Sequence, residues 1–337
     1  MRALIFDRNG EPAEVLGIKN LPDPAPGPGE ALVRVLISPV HPSDLHIVRG
    51  RYGRQPSLPA SPGVECVGVV EALGPNTFGP APGTRVVLID VWGTWRELVV
   101  SPVERLVPVP AEVTDEDAAQ TIVTPVTALV LTKHELDLKP GEWLVQTAAG
   151  STVGMLILQL ARVWGFRTIN LVRRHAEVPA IAKRGGDITL CTEEDDWPAQ
   201  LVNASGGRGP SKAIDCVAGR IGGELARVLA PGGRLVVFGA LSSHRQTKRA
   251  AFEMPLFAPG LIYGALTVRG WFLFHWLATT PLPQCVSVVR GVIDLIASGT
   301  LRLPSAVRYP LSEINVALQA AEAPARGGKP LIDFSLA

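Results

Sequence analysis

The chain has 337 residues, 47% of them hydrophobic, with 32 basic against 31 acidic side chains and a net charge of +1. That length and apolar content predict a globular protein of two domains. The balanced charge supplies no field to gather nucleic acid or an anionic membrane surface, so the expected partner is a small-molecule substrate, with no nucleic acid and no membrane. Cys66, Cys191, Cys216 and Cys285 stand far apart without a Cys-x-x-Cys pair, the pattern of reduced thiols in a cytosolic protein. The opening "MRALIFDRNGEP" carries no charged-then-apolar signal, and the most apolar later region, 257–280, is broken by Arg269 and several glycines. A cytoplasmic protein is therefore expected.

Residues 1–112 hold short apolar runs, "EALVRVLI", "CVGVVEAL", "TRVVLI" and "RELVV", separated by Pro/Gly turns such as "PDPAPGPGE". This spacing predicts a compact β domain. From 113 to 299 strand-like runs alternate with amphipathic helices: "WLVQTA" then "TVGMLILQLARVWG", "RTINLV" then "EVPAIAKRGG", "DITL" then "WPAQLVNASGG", "KAIDCVA" then "IGGELARVLAPGG". "RLVVFGA" and "LTVRGWFL" continue the series, so six strands of a doubly wound parallel α/β sheet are expected. After 300 the chain returns to short strands ending "KPLIDFSL", and this tail is expected to complete the first domain and leave a cleft between the two.

"LVQTAAGSTVG", residues 144–154, reads as strand, turn and helix start. A helix beginning at Thr152 aims unbonded N–H groups and a positive dipole end at the carboxyl edge of the sheet, where a pyrophosphate would sit. Gly150 and Gly154 are glycines of such a turn, while Ser151 and Thr152 substitute hydroxyls. An NAD site places an acid at the end of the next strand to accept from the ribose 2′-OH. "TINLVRRHAE" has none there and supplies Arg173 and Arg174, which points to a 2′-phosphate and hence to NADPH; two solvated surface arginines are the plain alternative.

"SPVHPSDLHIVRG" followed by "PGVECVG" resembles the region where zinc alcohol dehydrogenases carry two catalytic ligands. Catalytic zinc takes three protein ligands around an open position. His41 falls where a cysteine is usual, but Val64 takes the place of the histidine, and no cysteine occurs between 67 and 190. No metal is expected, and His41 and His46 read as loop or cleft residues.

Taken together, "VHPSDLHIVRGRYG", "LKPGEWLVQTAAGSTVG", "TINLVRR", "LAPGGRLVVFGALS", "VRGWFLFHW" and "GGKPLIDF" resemble the medium-chain dehydrogenase/reductase superfamily, and within it the zinc-free trans-2-enoyl-thioester reductases of the mitochondrial type. The resemblance covers nearly the whole chain. It implies a GroES-like β-barrel catalytic domain (1–112, completed by 300–337) plus a Rossmann domain (113–299), and pairing into a homodimer. It places the proton donor at Tyr52 and a tryptophan close to the substrate at Trp276. Cofactor contacts map onto Thr124, Gly150, Ser151, Thr152, Val153, Arg173, Arg174, His175, Phe238, Gly239, Ala240, Leu241, Trp271, Phe272, Leu273, Phe274 and Lys329. The chain departs from the family at Thr124 (asparagine there), Thr152 (glycine) and His175 (arginine).

The implied reaction is reduction of a C=C bond conjugated to a thioester, with a hydride to Cβ and a proton to Cα. A tyrosine hydroxyl, with a reference pKa of about 10, stays protonated and can donate that proton. Trp271, Phe272, Phe274 and Trp276 read either as core along the sheet's last strand or as walls of an acyl pocket. Arg51 and Arg54 are candidates to meet carrier phosphates. Two other readings stay open: an NADPH:quinone or enone reductase, and a non-catalytic NADPH-binding protein.

Overall fold

The apolar runs between the Pro/Gly turns form strands. In the computed structural model, which describes residues 1–244, 246, 249–323 and 328–336, the strands are, in chain order, β1 (Arg2–Ile5), β2 (Gly17–Asn20), β3 (Glu30–Pro39), β4 (Val67–Leu73), β5 (Arg85–Leu88), β6 (Leu98–Pro102), β7 (Leu106–Pro108), β8 (Trp143–Gln146), β9 (Arg167–Val172), β10 (Ile188–Cys191), β11 (Lys212–Asp215), β12 (Arg234–Val237), β13 (Thr267–Gly270), β14 (Ala306–Pro310) and β15 (Lys329–Asp333). They fall into two compact units, Met1–Val126 with Leu277–Ala337, and Thr127–Trp276. The helix Leu282–Ala297 thus belongs to the first unit.

In the first unit the sheet runs β14-β15-β3-β4-β5-β7, with β6 also on β3. Alternate residues of β3, Ala31, Val33, Val35 and Ile37, are buried, as a strand with one face on a core requires. Ala31, Val33 and Val35 join a core with Leu4, Leu45, Val70, Val86, Leu88, Trp95 and Leu318. The tail returns to this sheet: β15 lies antiparallel on the end of β3, pairing Leu331 with Pro39, and the Val40 N–H donates to Pro330 O at 2.9 Å. This pairing sets the first residue of β15, Lys329, beside the loop that leaves β3.

The second unit is a six-stranded, wholly parallel sheet in the order β10-β9-β8-β11-β12-β13. All six expected strands are present, and the order reverses between β8 and β11, the switch point at which open α/β sheets take ligands. Val145, Ile169, Leu171, Ala213 and Leu235 form its core with Trp197, Leu201 and Leu225 of the covering helices. One local expectation is corrected. The aromatic run after β13 is not strand: β13 stops at Gly270 and Leu273–Thr279 is helical. Leu273, Phe274, Trp276 and Leu277 are buried while His275 is exposed, a helical spacing that a short apolar run does not distinguish from alternation. Among the described residues no helix is long and apolar enough to cross a membrane.

Candidate nucleotide site and active site

The chain leaves β8 at the switch point through Thr147–Gly150 and enters the helix Thr152–Trp164. Ala148 takes φ +46°, a left-handed conformation that costs a residue with a Cβ on the order of 1 kcal/mol. Ser151 is the N-cap: the Gly154 N–H donates to its Oγ at 3.2 Å, and the same side chain is hydrogen-bonded to Cys216. Thr152 and Val153 open the helix, so their N–H groups have no intrahelical acceptor. The two glycines differ in role. A Cβ on Gly154 would lie 2.6 Å from Ala149 O, so this glycine lets helix and turn pack, whereas a Cβ on Gly150 would meet nothing within 4 Å.

The open space over Gly150 belongs to a cavity of about 480 Å³ lined by, among others, Gly150, Ser151, Arg173, Glu177, Thr192 and Leu241. Its far wall follows β11. Buried Asp215 accepts from the Thr147 hydroxyl (2.6 Å) and the Val217 N–H (2.8 Å) with Oδ1, and from the Ala218 N–H (2.9 Å) with Oδ2. It thereby pins together the turns after β8 and β11, including Ala218 at φ +57°. Burial raises the pKa of its carboxyl, and these three hydrogen bonds oppose the rise. Sequence reasoning passed over Asp215; its only signal was an acid ending an apolar strand, "KAIDCVA".

The three consecutive basic residues after β9 are not equivalent. Arg173 lines the cavity and has no ion pair among the described residues. Arg174 is committed to Glu177, its Nε 2.9 Å from Oε1, and His175 Nδ1 lies 3.0 Å from Glu194 Oε1. After β12, the Phe238 N–H donates to Asp215 O and the Leu241 N–H to Cys216 O, and of Phe238, Gly239, Ala240 and Leu241 it is Leu241 that reaches the cavity. Trp271, Leu273, Phe274 and Trp276 are buried, with Phe272 edge-on to Phe274 at 5.6 Å, and none of them lines this cavity. The buried Trp271 Nε1 has no hydrogen-bond partner among the described residues.

In the first unit the loop after β3 caps the helix Pro42–Val48, with the His41 N–H donating to Asp44 Oδ2 at 2.7 Å. His41 is buried between two charged groups: Lys329 Nζ donates to Nδ1 at 2.8 Å, and Nε2 contacts Glu65 Oε1 in a short hydrogen bond. An ammonium donating to Nδ1 fixes the tautomer in which Nε2–H donates to the Glu65 carboxylate. The other Glu65 oxygen accepts from the Ile122 (2.9 Å) and Val123 (2.7 Å) N–H groups. Thr124, next in sequence, is held by that anchor at the start of the helix Val123–Leu129. Tyr52 belongs to the same neighbourhood: burial and the Asp44 charge raise the pKa of its phenol, and a hydrogen bond with Ser43 opposes the rise. Burial likewise raises the pKa of Asp44, while the His41 N–H and Lys329 lower it. Of the residues chosen from sequence, Lys329 bonds to His41, Thr124 follows the backbone anchored by Glu65, and Tyr52 is linked to the neighbouring Asp44; sequence reasoning had set His41 aside and passed over Glu65. Arg54, a candidate for carrier phosphates, stacks over Trp92 (4.5 Å) and pairs with Asp90 (3.1 Å).

These side chains do not fit a catalytic zinc. Both ring nitrogens of His41 are engaged, one by an ammonium, and Val64, buried and apolar, offers no donor. The ammonium supplies the positive charge that a buried carboxylate such as Glu65 requires.

Fold and turn are those of a dinucleotide-dependent dehydrogenase. Residues 27–111 match the model of the alcohol dehydrogenase GroES-like domain and residues 152–290 that of the zinc-binding dehydrogenase domain. The chain belongs to the medium-chain dehydrogenase/reductase superfamily, an oxidoreductase family whose cofactor is a nicotinamide dinucleotide. It is 32% identical to the mitochondrial enoyl-acyl-carrier-protein reductase of Homo sapiens over 98% of this chain and 88% of that protein. Among solved structures, a mycobacterial quinone oxidoreductase is 27% identical with a TM-score of 0.84, covering 99% of both chains. The mitochondrial 2-enoyl thioester reductase heterodimer of Candida tropicalis shares the fold, with a TM-score of 0.83 and 22% identity over 99% of both chains.

Proposed function

We propose that this protein reduces the C=C bond of 2-enoyl thioesters with NADPH and without a metal. The observation that carries the reaction lies in the first unit: the half-buried phenol of Tyr52, its pKa raised, stands in the field of Asp44, which is bonded to the His41 N–H, and His41 joins Glu65 and Lys329 where zinc relatives would need ligands. Full-length identity of 32% to an enoyl-acyl-carrier-protein reductase supports the substrate class. The bound nicotinamide supplies the hydride taken up at Cβ. Tyr52 keeps its proton at neutral pH and gives it to Cα, and the Glu65 anchor holds Thr124 at the head of its helix. The quinone reductase reading keeps a specific support, the 27% identity and TM-score of 0.84 to a mycobacterial quinone oxidoreductase. Turnover of enoyl-CoA esters of graded chain length beside simple enones and quinones separates the two. The thioester reading fails if quinones turn over and no enoyl thioester does.

Arg173 carries the choice of NADPH. It lines the cavity at the end of β9 without an acidic partner, so a 2′-phosphate there gains a charge-assisted hydrogen bond of about 1.5–3 kcal/mol. Arg173→Ala is expected to raise the KM for NADPH by about 10–100-fold and to leave that for NADH nearly unchanged. Glu177 also lines the cavity, and Glu177→Gln, which removes a like charge and releases Arg174, is expected to lower the KM for NADPH. Equal response of the two coenzymes to Arg173→Ala would move the selectivity elsewhere.

A further inference from the structure

We propose that His175, Cys191 and Glu194 form a binding site for a thiophilic divalent cation, with Zn²⁺ as the natural fit. Their ligand atoms all lie within 4.8 Å of one another. Cys191 ends β10, and His175 and Glu194 follow β9 and β10 at the carboxyl ends of these adjacent strands, which the parallel pairing of Cys191 with Val172 holds side by side. One edge of the site is already in contact, His175 Nδ1 to Glu194 Oε1 at 3.0 Å, and opens by a few tenths of an ångström to take a metal. Gln200 Nε2 donates to Glu194 Oε2 at 3.0 Å and orients the carboxylate so that Oε1 faces the histidine. Cys191 Sγ is buried yet directed at this loop, donating to Arg173 O at 3.1 Å.

One sulfur, one imidazole nitrogen and one carboxylate oxygen make three protein ligands with a fourth position for water, a set that zinc takes and that hard Mg²⁺ or Ca²⁺ does not. Metal–ligand distances of about 2.0–2.3 Å put tetrahedral ligand atoms about 3.3–3.7 Å apart, so the site closes by about 1 Å. The exposed His175 and half-exposed Glu194 side chains can supply that movement. On binding, the Cys191 S–H bond breaks, its proton goes to solvent and the sulfur forms the bond to the metal. Zn²⁺ with a thiolate, a carboxylate and a neutral imidazole leaves no net charge, and affinity rises with pH because one proton is released.

The site requires neither coenzyme nor substrate, so it is tested without them and stands or falls apart from the proposed reaction. Titration of the reduced full-length protein with Co²⁺ is expected to give one equivalent bound, with a thiolate-to-cobalt charge-transfer band and the intense visible bands of tetrahedral Co²⁺, all bleached by Zn²⁺. Cys191→Ser removes the charge-transfer band. His175→Ala, on an exposed side chain that leaves the fold intact, weakens Co²⁺ binding by at least about 10-fold, and Gln200→Ala by about 10-fold. No charge-transfer band at saturating Co²⁺, or a band that survives Cys191→Ser, overturns the assignment.

Discussion

Tyr52→Phe is expected to lower kcat for enoyl thioester reduction by about 10²–10⁴-fold, the usual contribution of a positioned general acid, and to leave the Kd for NADPH within about two-fold. The substitution removes one oxygen and keeps the ring, so packing around the loop is preserved. A Cα carbanion or its enolate needs a proton from a group that is still protonated when the hydride arrives. Burial and the nearby Asp44 carboxylate both raise the Tyr52 pKa, so the phenol meets that condition across the neutral range. The same two influences make the phenolate unfavourable, so the proton must be replaced promptly after each turnover. Single-turnover kinetics with an enoyl-CoA and NADPH separate this role from binding. Unchanged kcat takes the proton away from Tyr52, and a loss confined to the NADPH Kd makes it a coenzyme contact instead.

How much of this was legible in the sequence depended on the range of the interaction. The parallel sheet could be read because each strand and helix writes its own period within a dozen residues, as "RTINLV" and "TVGMLILQLARVWG" do. The turn could be read for the same reason, and Gly154 has the packing duty its place in the motif implied. Where periods compete, the pattern misled: "WFLFHW" satisfies strand alternation and helical spacing alike, and the chain resolved it as helix. Side-chain partners lay out of reach. In sequence Arg173, Arg174 and His175 are three consecutive basic residues; Glu177, three residues on, pairs with Arg174 locally, and only the fold brings Glu194 to His175. Cys191 looked isolated because its neighbour His175 belongs to the adjacent strand's loop, not to its own. The contact between His41 and Lys329 spans 288 positions and is created by β15 returning to β3, which no local pattern encodes.

That long-range contact yields the second large effect. Glu65→Gln is expected to destabilise the protein by about 3–5 kcal/mol, because it leaves the buried Lys329 ammonium without the negative charge that faces it through His41. A glutamine oxygen that accepts from the Ile122 and Val123 N–H groups turns its NH2 toward the His41 Nε2–H, two donors face to face, so the loss reports charge and hydrogen bonding together. Lys329→Met strands the carboxylate in the same way and is expected to cost a similar amount. The double variant Glu65→Gln/Lys329→Met removes both charges, and its destabilisation, followed by urea unfolding, is expected to fall well short of the sum of the two singles. The cycle also decides what Lys329 is for. The resemblance assigned it to the coenzyme, whereas its Nζ is bonded to His41 at 2.8 Å on a residue only 8% exposed. If the charge network is its role, Lys329→Met couples strongly to Glu65→Gln in stability and changes the Kd for NADPH little. If Lys329 serves the coenzyme, the two substitutions add without coupling and NADPH affinity falls. A lysine that substitutes for the charge of a metal ion must give the first result, since the carboxylate it neutralises also anchors the backbone before Thr124.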